Sequence, residues 1–226
     1  MLSLNKKILY TTVFLFILSC VYFFIFNKLY ESPIRLIGAL IMFGYFLIYT
    51  KKNIYLLLVF VLITLSTICY FYYELGHFKF LTSILKIITG IIIIIHIYPK
   101  QKLIKLSLTE ITVFSFLILL NFYLIYLILY TVNLKIDIMP YNIAAMAILG
   151  VSHIILTVFA LKYRSIKNKP SIYLLAFVSF IVLGDITSLL EHIFEYSIII
   201  FINRAFFLFG LYHLVMYSLS ISKLDD

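Results

Sequence analysis

Tryptophan is absent from the 226-residue chain, and only two cysteines, four prolines and seven glycines are present. Cys20 and Cys69 both fall inside apolar runs, so neither a disulfide framework nor a paired-cysteine metal site is encoded. No Gly-, Pro- or Ser-rich stretch divides the chain, which reads as one domain over residues 1–226. Charge is scarce as well. Charged residues make up 12% of the chain and hydrophobic ones 65%, with a mean hydropathy of +1.15, against about 25% and about 45–50% in a soluble domain. No soluble fold hides that much apolar surface. Acids are scarcest of all, nine against 18 Lys and Arg, which leaves a formal charge of +9. The cations gather in short connections between apolar runs, the pattern that encodes membrane topology, so no nucleic-acid partner is expected.

A membrane-spanning helix needs about 20 mostly apolar residues. Eight runs of roughly that length are present: Ile8 to Phe26, Pro33 to Thr50, Ile54 to Tyr73, Phe80 to Tyr98, Ile111 to Val132, Tyr141 to Leu161, Ile172 to Phe194 and Ser197 to Leu219. They lack the alternation of a transmembrane barrel. The expected fold is an all-α membrane protein of about eight transmembrane helices. Lys6-Lys7 followed by an apolar stretch ending in Ile17-Leu18-Ser19-Cys20 loosely resembles a bacterial lipoprotein signal. Because Val21 to Phe26 continue the run past the cysteine, a retained first helix is expected instead.

Twelve cations (Lys6, Lys7, Lys51, Lys52, Lys100, Lys102, Lys105, Lys162, Arg164, Lys167, Lys169 and Lys223) fall on one side of such a bundle, and Lys28, Lys79 and Lys135 on the other. The positive-inside rule then puts both termini in the cytoplasm, in the cytoplasmic (inner) membrane of a bacterium. The halves also look alike. Ile54-Tyr55-Leu56-Leu57 recurs as Ile172-Tyr173-Leu174-Leu175, and Glu74 and His96 recur as Glu191 and His213, which suggests a four-plus-four internal repeat of parallel orientation.

Ionisable groups inside lipid cost about 2.5–3.5 kcal/mol each on insertion scales and usually face the bundle interior. Arg35, Lys86, Asp185 and Arg204 lie within the runs. In the seventh run Asp185, Ser188 and His192 share a helix face, with Glu191 a third of a turn away. At a rise of ~1.5 Å per residue, Asp185 and Arg204 come to similar depths on adjacent helices, with Lys86 slightly nearer the outer surface. Asp185 is therefore the candidate general base, with Arg204 or Lys86 as its partner or as the binder of an anionic headgroup. An ion pair that only holds helices together is the competing account. His96, His153 and His213 lie in the cytoplasmic half and would suit zinc by residue type. Their depths differ by about two helical turns, however, and separate histidines bonding between helices are expected, with no metal and no cofactor. Asn121 reads the same way. A Gly-rich phosphate loop, a Gly-x-Ser-x-Gly elbow and a His-Glu-x-x-His helix are all missing.

The stretch from Ser171 to Ser220, with Leu183-Gly184-Asp185 and Leu211-Tyr212-His213-Leu214, resembles the YhhN-like lysoplasmalogenases. These are small eight-span membrane proteins with a Ser-Asp or Gly-Asp pair in each half, and the enzymes among them hydrolyse the vinyl-ether bond of lysoplasmalogens, releasing an aldehyde. The resemblance implies membrane lipids as partners, a lysophospholipid as substrate and Asp185 as catalyst. Arg204, Lys86, His192, Tyr212 and His213 are then the substrate-binding candidates. The family's first acidic pair has no counterpart, because Leu65-Ser66-Thr67-Ile68-Cys69-Tyr70 holds no carboxylate and Glu74 is the nearest. A non-enzymatic scaffold, or a subunit of a larger membrane complex, is the alternative.

Overall fold

The computed structural model describes residues 2–26, 32–50, 53–72, 76–101, 107–135, 140–194 and 197–222. Side chains at 191–194 and at many positions of 110–135 lie outside that description. Eight helices follow in order: α1 (Leu2–Phe26), α2 (Ser32–Tyr49), α3 (Ile54–Phe71), α4 (Gly76–Gln101), α5 (Leu108–Lys135), α6 (Pro140–Arg164), α7 (Lys169–Phe194) and α8 (Ser197–Ser222). Each apolar run corresponds to one helix, and no strand occurs among the described residues. Among those residues five helices are long and apolar enough to cross a membrane, Leu4–Ile25, His77–Gln101, Tyr141–Arg164, Lys169–Leu190 and Ile198–Ser222. Shorter apolar stretches occupy α2 and α3.

Several helices outrun their apolar segments. Backbone hydrogen bonding continues where the side chains turn polar, so α6 ends on Lys162 and Arg164 and α4 carries Lys100 in its last turn, cations that complement the negative end of a helix dipole. Asn53 caps α3, its side chain accepting from Tyr55 N at 3.1 Å and Leu56 N at 3.3 Å. Asn168 caps α7, its Oδ1 accepting from Ser171 N at 2.9 Å.

The outside of the bundle is apolar, as a lipid-facing protein requires. Phe14, Phe24, Ile25, Leu47 and Ile48 are all more than half exposed, an arrangement that water would penalise. The interior gathers around α8, where Leu208, Leu211, Leu214, Val215, Met216 and Tyr217 are buried. Length, composition and this surface identify a helical integral membrane protein.

Several helix contacts have counterparts in the other half: α3 packs on α4 as α7 on α8, α4 on α6 as α8 on α2, α2 on α3 as α6 on α7, and α1 on α2 as α5 on α6; α1 also packs on α8, without a comparable contact of α5 on α4 among the described residues. A Cβ added at Gly38 of α2 would clash with Leu208 Cδ2 of α8 at 2.7 Å, and one added at Gly90 of α4 would meet Ser152 Oγ at 3.4 Å and Leu156 Cδ2 at 3.7 Å of α6, ordinary contact distances. Each crossing thus sets a glycine against a leucine. The His96 ring lies 5.7 Å from Tyr55, and the His213 ring 6.3 Å from Tyr173.

Candidate functional site

Asp185 sits nine residues before the end of α7, and Lys86 ten residues after the start of α4. The two helices are antiparallel across the bundle, so these offsets, about 14 Å and 15 Å at ~1.5 Å per residue, bring the side chains to one level. Lys86 Nζ donates to Asp185 Oδ1 at 2.5 Å. The carboxylate's other oxygen, Oδ2, lies 3.3 Å from His153 Nε2 of α6, yet it is buried and accepts no hydrogen bond. One carboxylate is therefore flanked by an ammonium and an imidazole, with only one of its oxygens saturated. Asp185 is also the only carboxylate whose side chain is described.

These three groups line a cavity of about 50 Å³ between α2, α3, α4, α6, α7 and α8, room for a few water molecules. Its polar wall on α3 is made of hydroxyls, Ser66, Thr67 and Tyr70, and α4 adds Thr89. Ser66 and Thr67 each donate to the Ile63 carbonyl at 2.8 Å, and Thr89 donates to the Leu85 carbonyl at 2.8 Å. Those hydroxyls offer the cavity oxygen lone pairs rather than protons. Tyr70 Oη and Ser188 Oγ hydrogen-bond at 3.2 Å. Arg35, on the first turn of α2, reaches the cavity with its guanidinium between two rings, 4.4 Å from the Tyr70 centroid and 4.5 Å from that of Phe207. Ile63, Ile93, Leu156, Phe177 and Ile181 complete an apolar floor.

Arg204 is placed differently from expectation. It does not line the cavity; it donates to the Ser19 carbonyl of α1 and lies 5.1 Å from the Phe23 ring. The cause is azimuth. Helix α8 turns Asn203, Phe206, Phe207 and Gly210 toward α7, so the Arg204 and Leu208 stripe, about 100° around, faces α1 and α2. A Cβ added at the neighbouring Gly184 would meet Phe206 Cβ at 3.6 Å, an ordinary contact, so α7 faces Phe206 of α8 here.

The remaining candidates divide. The His213 Nδ1 bonds the Phe209 carbonyl of its own helix at 2.7 Å, and its ring lies 5.2 Å from Phe180 and 5.0 Å from Tyr212. Neither Tyr212 nor His213 reaches the cavity. His96 sits between Tyr55 and Tyr217, so His96, His153 and His213 occupy three separate environments. Among the described residues no three His, Cys, Asp or Glu side chains converge as metal ligands. The side chains of His192, Glu191, Asn121 and Lys135, and all of Glu74, Lys28, Lys51, Lys52, Lys102, Lys105 and Lys223, lie outside the described residues.

The sequence puts Arg35 in the same outer layer as Asp185 without assigning it to the site, and it gives no pairing of His153 with Asp185. A signal was present. Tyr70 and Ser188 are 118 positions apart, the spacing that also separates Ile54 from Ile172, Arg35 from His153, Thr67 from Asp185, and Lys86 from Arg204. Four polar positions of one half thus have polar counterparts in the other. No family model, no curated protein and no solved structure matches the chain.

Proposed function

We propose that this chain is a YhhN-like membrane hydrolase that cleaves the vinyl-ether bond of a lysophospholipid, with Asp185 and His153 as its working pair. The observation that carries the reading is the half-saturated carboxylate, with Oδ1 tied to Lys86 and Oδ2 lacking a hydrogen bond, beside an imidazole and a water-sized space. Cleavage of an enol ether needs an acid for carbon and a base for water. Protonated His153 gives its proton to the β-carbon, leaving an oxocarbenium ion. Water adds to the α-carbon and loses a proton to Asp185 Oδ2. The hemiacetal then breaks into an aldehyde and a free glycerol hydroxyl, its hydroxyl proton passing to the leaving oxygen. The proton on Oδ2 returns to His153 across the 3.3 Å gap, which resets the pair. His153 thereby takes the part of the acid missing from α3, and Lys86 offsets the cost of burying the carboxylate.

All eight helices span the cytoplasmic membrane of a bacterium, with both termini cytoplasmic, and the bundle is a four-plus-four duplication. Supporting the duplication are the paired helix contacts, the two glycine–leucine crossings and the matching His–Tyr ring contacts. Gly90 and Leu208 share the spacing of 118, as do Gly38 and Leu156, so the crossings exchange glycine for leucine. The reacting bond occupies the cavity while the hydrocarbon chain stays in the lipid. Purified protein should release aldehyde from a 1-alkenyl lysophospholipid and none from its 1-alkyl analogue; equal inertness toward both defeats the reading.

The small volume of the cavity favours a second, non-enzymatic reading in which Lys86 and Asp185 only hold α4 to α7. That version predicts no aldehyde from either lipid, with the double change Lys86→Met, Asp185→Leu folding at least as well as either single change.

A further inference from the structure

Among the described residues that line the cavity, Lys86 and Arg35 are cations and Asp185 is the sole carboxylate. That carboxylate is engaged by Lys86 at 2.5 Å and approached by His153 at 3.3 Å, so Arg35 is left over. Among the described residues no carboxylate and no hydrogen-bond acceptor meets its guanidinium, and its Nε is buried without a hydrogen bond. The Tyr70 and Phe207 rings lie over the guanidinium carbon. The two rings hold the cation by cation–π contact, and its N–H groups are the donors that recognise an oxyanion. An arginine that lines a cavity beside a lysine, with a buried N–H lacking a partner, suits an anionic occupant.

We infer that this cavity binds a phosphate-type oxyanion between Arg35 and Lys86. The neighbouring hydroxyls of Ser66, Thr67 and Thr89 spend their protons on helix carbonyls, so Arg35 and Lys86 are the charged donors in the lining. The inference rests on the lysophospholipid reading and sharpens it. In such a lipid the glycerol unit alone separates the vinyl-ether oxygen from the phosphate, so a cavity that holds both Asp185 and Arg35 serves both ends. The same chemistry admits free phosphate.

The test uses the full-length chain in a neutral detergent and reads its unfolding temperature against inorganic phosphate, lysophosphatidylcholine, monoacylglycerol of the same chain length, and chloride at matched ionic strength. Stabilisation by lysophosphatidylcholine alone assigns the site to a lipid headgroup, and stabilisation by phosphate as well extends it to the free ion; both outcomes support the inference. Arg35→Gln should weaken the apparent affinity roughly ten- to a hundredfold, the effect of losing a charge-assisted hydrogen bond, while Arg204→Gln, on the α1 side, should bind like the parent. The inference is overturned if neither phosphate compound outdoes chloride, if monoacylglycerol binds as tightly as its phospholipid, or if folded Arg35→Gln binds like the parent. Should Arg35→Gln not fold, the parent's preference for phosphate compounds decides alone. Asp185→Asn, inactive under the hydrolase reading, should still bind phosphate and bind it more tightly. Binding without aldehyde release therefore removes the hydrolase alone, and aldehyde release without phosphate preference removes the anion site alone.

Discussion

Replacing Asp185 by Asn should destabilise the protein more than replacing Lys86 by Gln, and the two changes should not add. The side chains of Lys86 and Asp185 keep 22% and 14% of their exposure, so the pair lies between a surface bridge and a fully dry one. Breaking a fully buried pair by removing one partner costs about 3–5 kcal/mol. With residual exposure screening the charges, about 2–3 kcal/mol is the expectation for Asp185→Asn. That change strips the carboxylate from Lys86 and from His153 together. Lys86→Gln leaves Asp185 facing His153 at 3.3 Å, which compensates part of the loss and lowers the cost to about 1–2 kcal/mol. The double variant, carrying no unpaired carboxylate or ammonium, should be more stable than the sum of the singles by about 1 kcal/mol or more, the coupling typical of residues in direct contact. Arg204→Gln serves as the contrast, because Arg204 bonds Ser19 on α1; combined with Asp185→Asn it should add within about 0.5 kcal/mol. Equilibrium unfolding of purified variants in mixed micelles measures all five. Additive Lys86 and Asp185 changes, or strong coupling between Asp185 and Arg204, would refute the geometry.

Gly38→Ala places a Cβ 2.7 Å from Leu208 Cδ2 and should cost about 1–3 kcal/mol, recovered in part by Leu208→Ala. Gly44→Ala, with nothing within 4 Å, should instead be neutral or gain up to about 1 kcal/mol in helix propensity; thermal unfolding of the three variants checks the pair of claims. Asn53→Ala removes the α3 cap and should lower stability by about 0.5–2 kcal/mol, read most sharply as faster amide exchange in the first turn of that helix. Tyr70→Phe and Ser188→Ala each delete the same 3.2 Å hydrogen bond, so each should cost about 0.5–1.5 kcal/mol and the double variant little more.

The helices were legible because lipid imposes a simple requirement: about 20 apolar residues per crossing with polar ends. The limits predicted for the second and eighth runs, Pro33 to Thr50 and Ser197 to Leu219, fall within a turn of α2 and α8. Depth along a helix was legible for Asp185 and Lys86, which the constant rise per residue brought close to one level, but not for His153, expected in the cytoplasmic half and found 3.3 Å from Asp185. Facing was not. Whether Arg204 or Lys86 meets Asp185 depends on which side of α8 lies against α7, and that is settled by Gly184 and Gly210 meeting the bulky side chains of the opposite helix, a tertiary fit that no single helix encodes. His153 reads from the sequence as a histidine bonding between helices rather than as a metal ligand, but which residue it faces depends on the same tertiary fit. Its relation to Arg35 through the spacing of 118 is readable in the chain, but only the Tyr70–Ser188 contact gives that number physical meaning.

In the hydrolase we propose, Asp185, with one oxygen on Lys86 and the other open beside His153, activates water at a lipid's enol ether. Aldehyde release from a 1-alkenyl lysophospholipid by the parent protein and by Asp185→Asn, both verified as folded, tests it most directly. The account predicts steady release by the parent and a loss of about 10²–10⁴-fold in the variant, the usual contribution of a positioned acid or base. Release by Asp185→Asn at the parent's rate, or none from the parent, would contradict it.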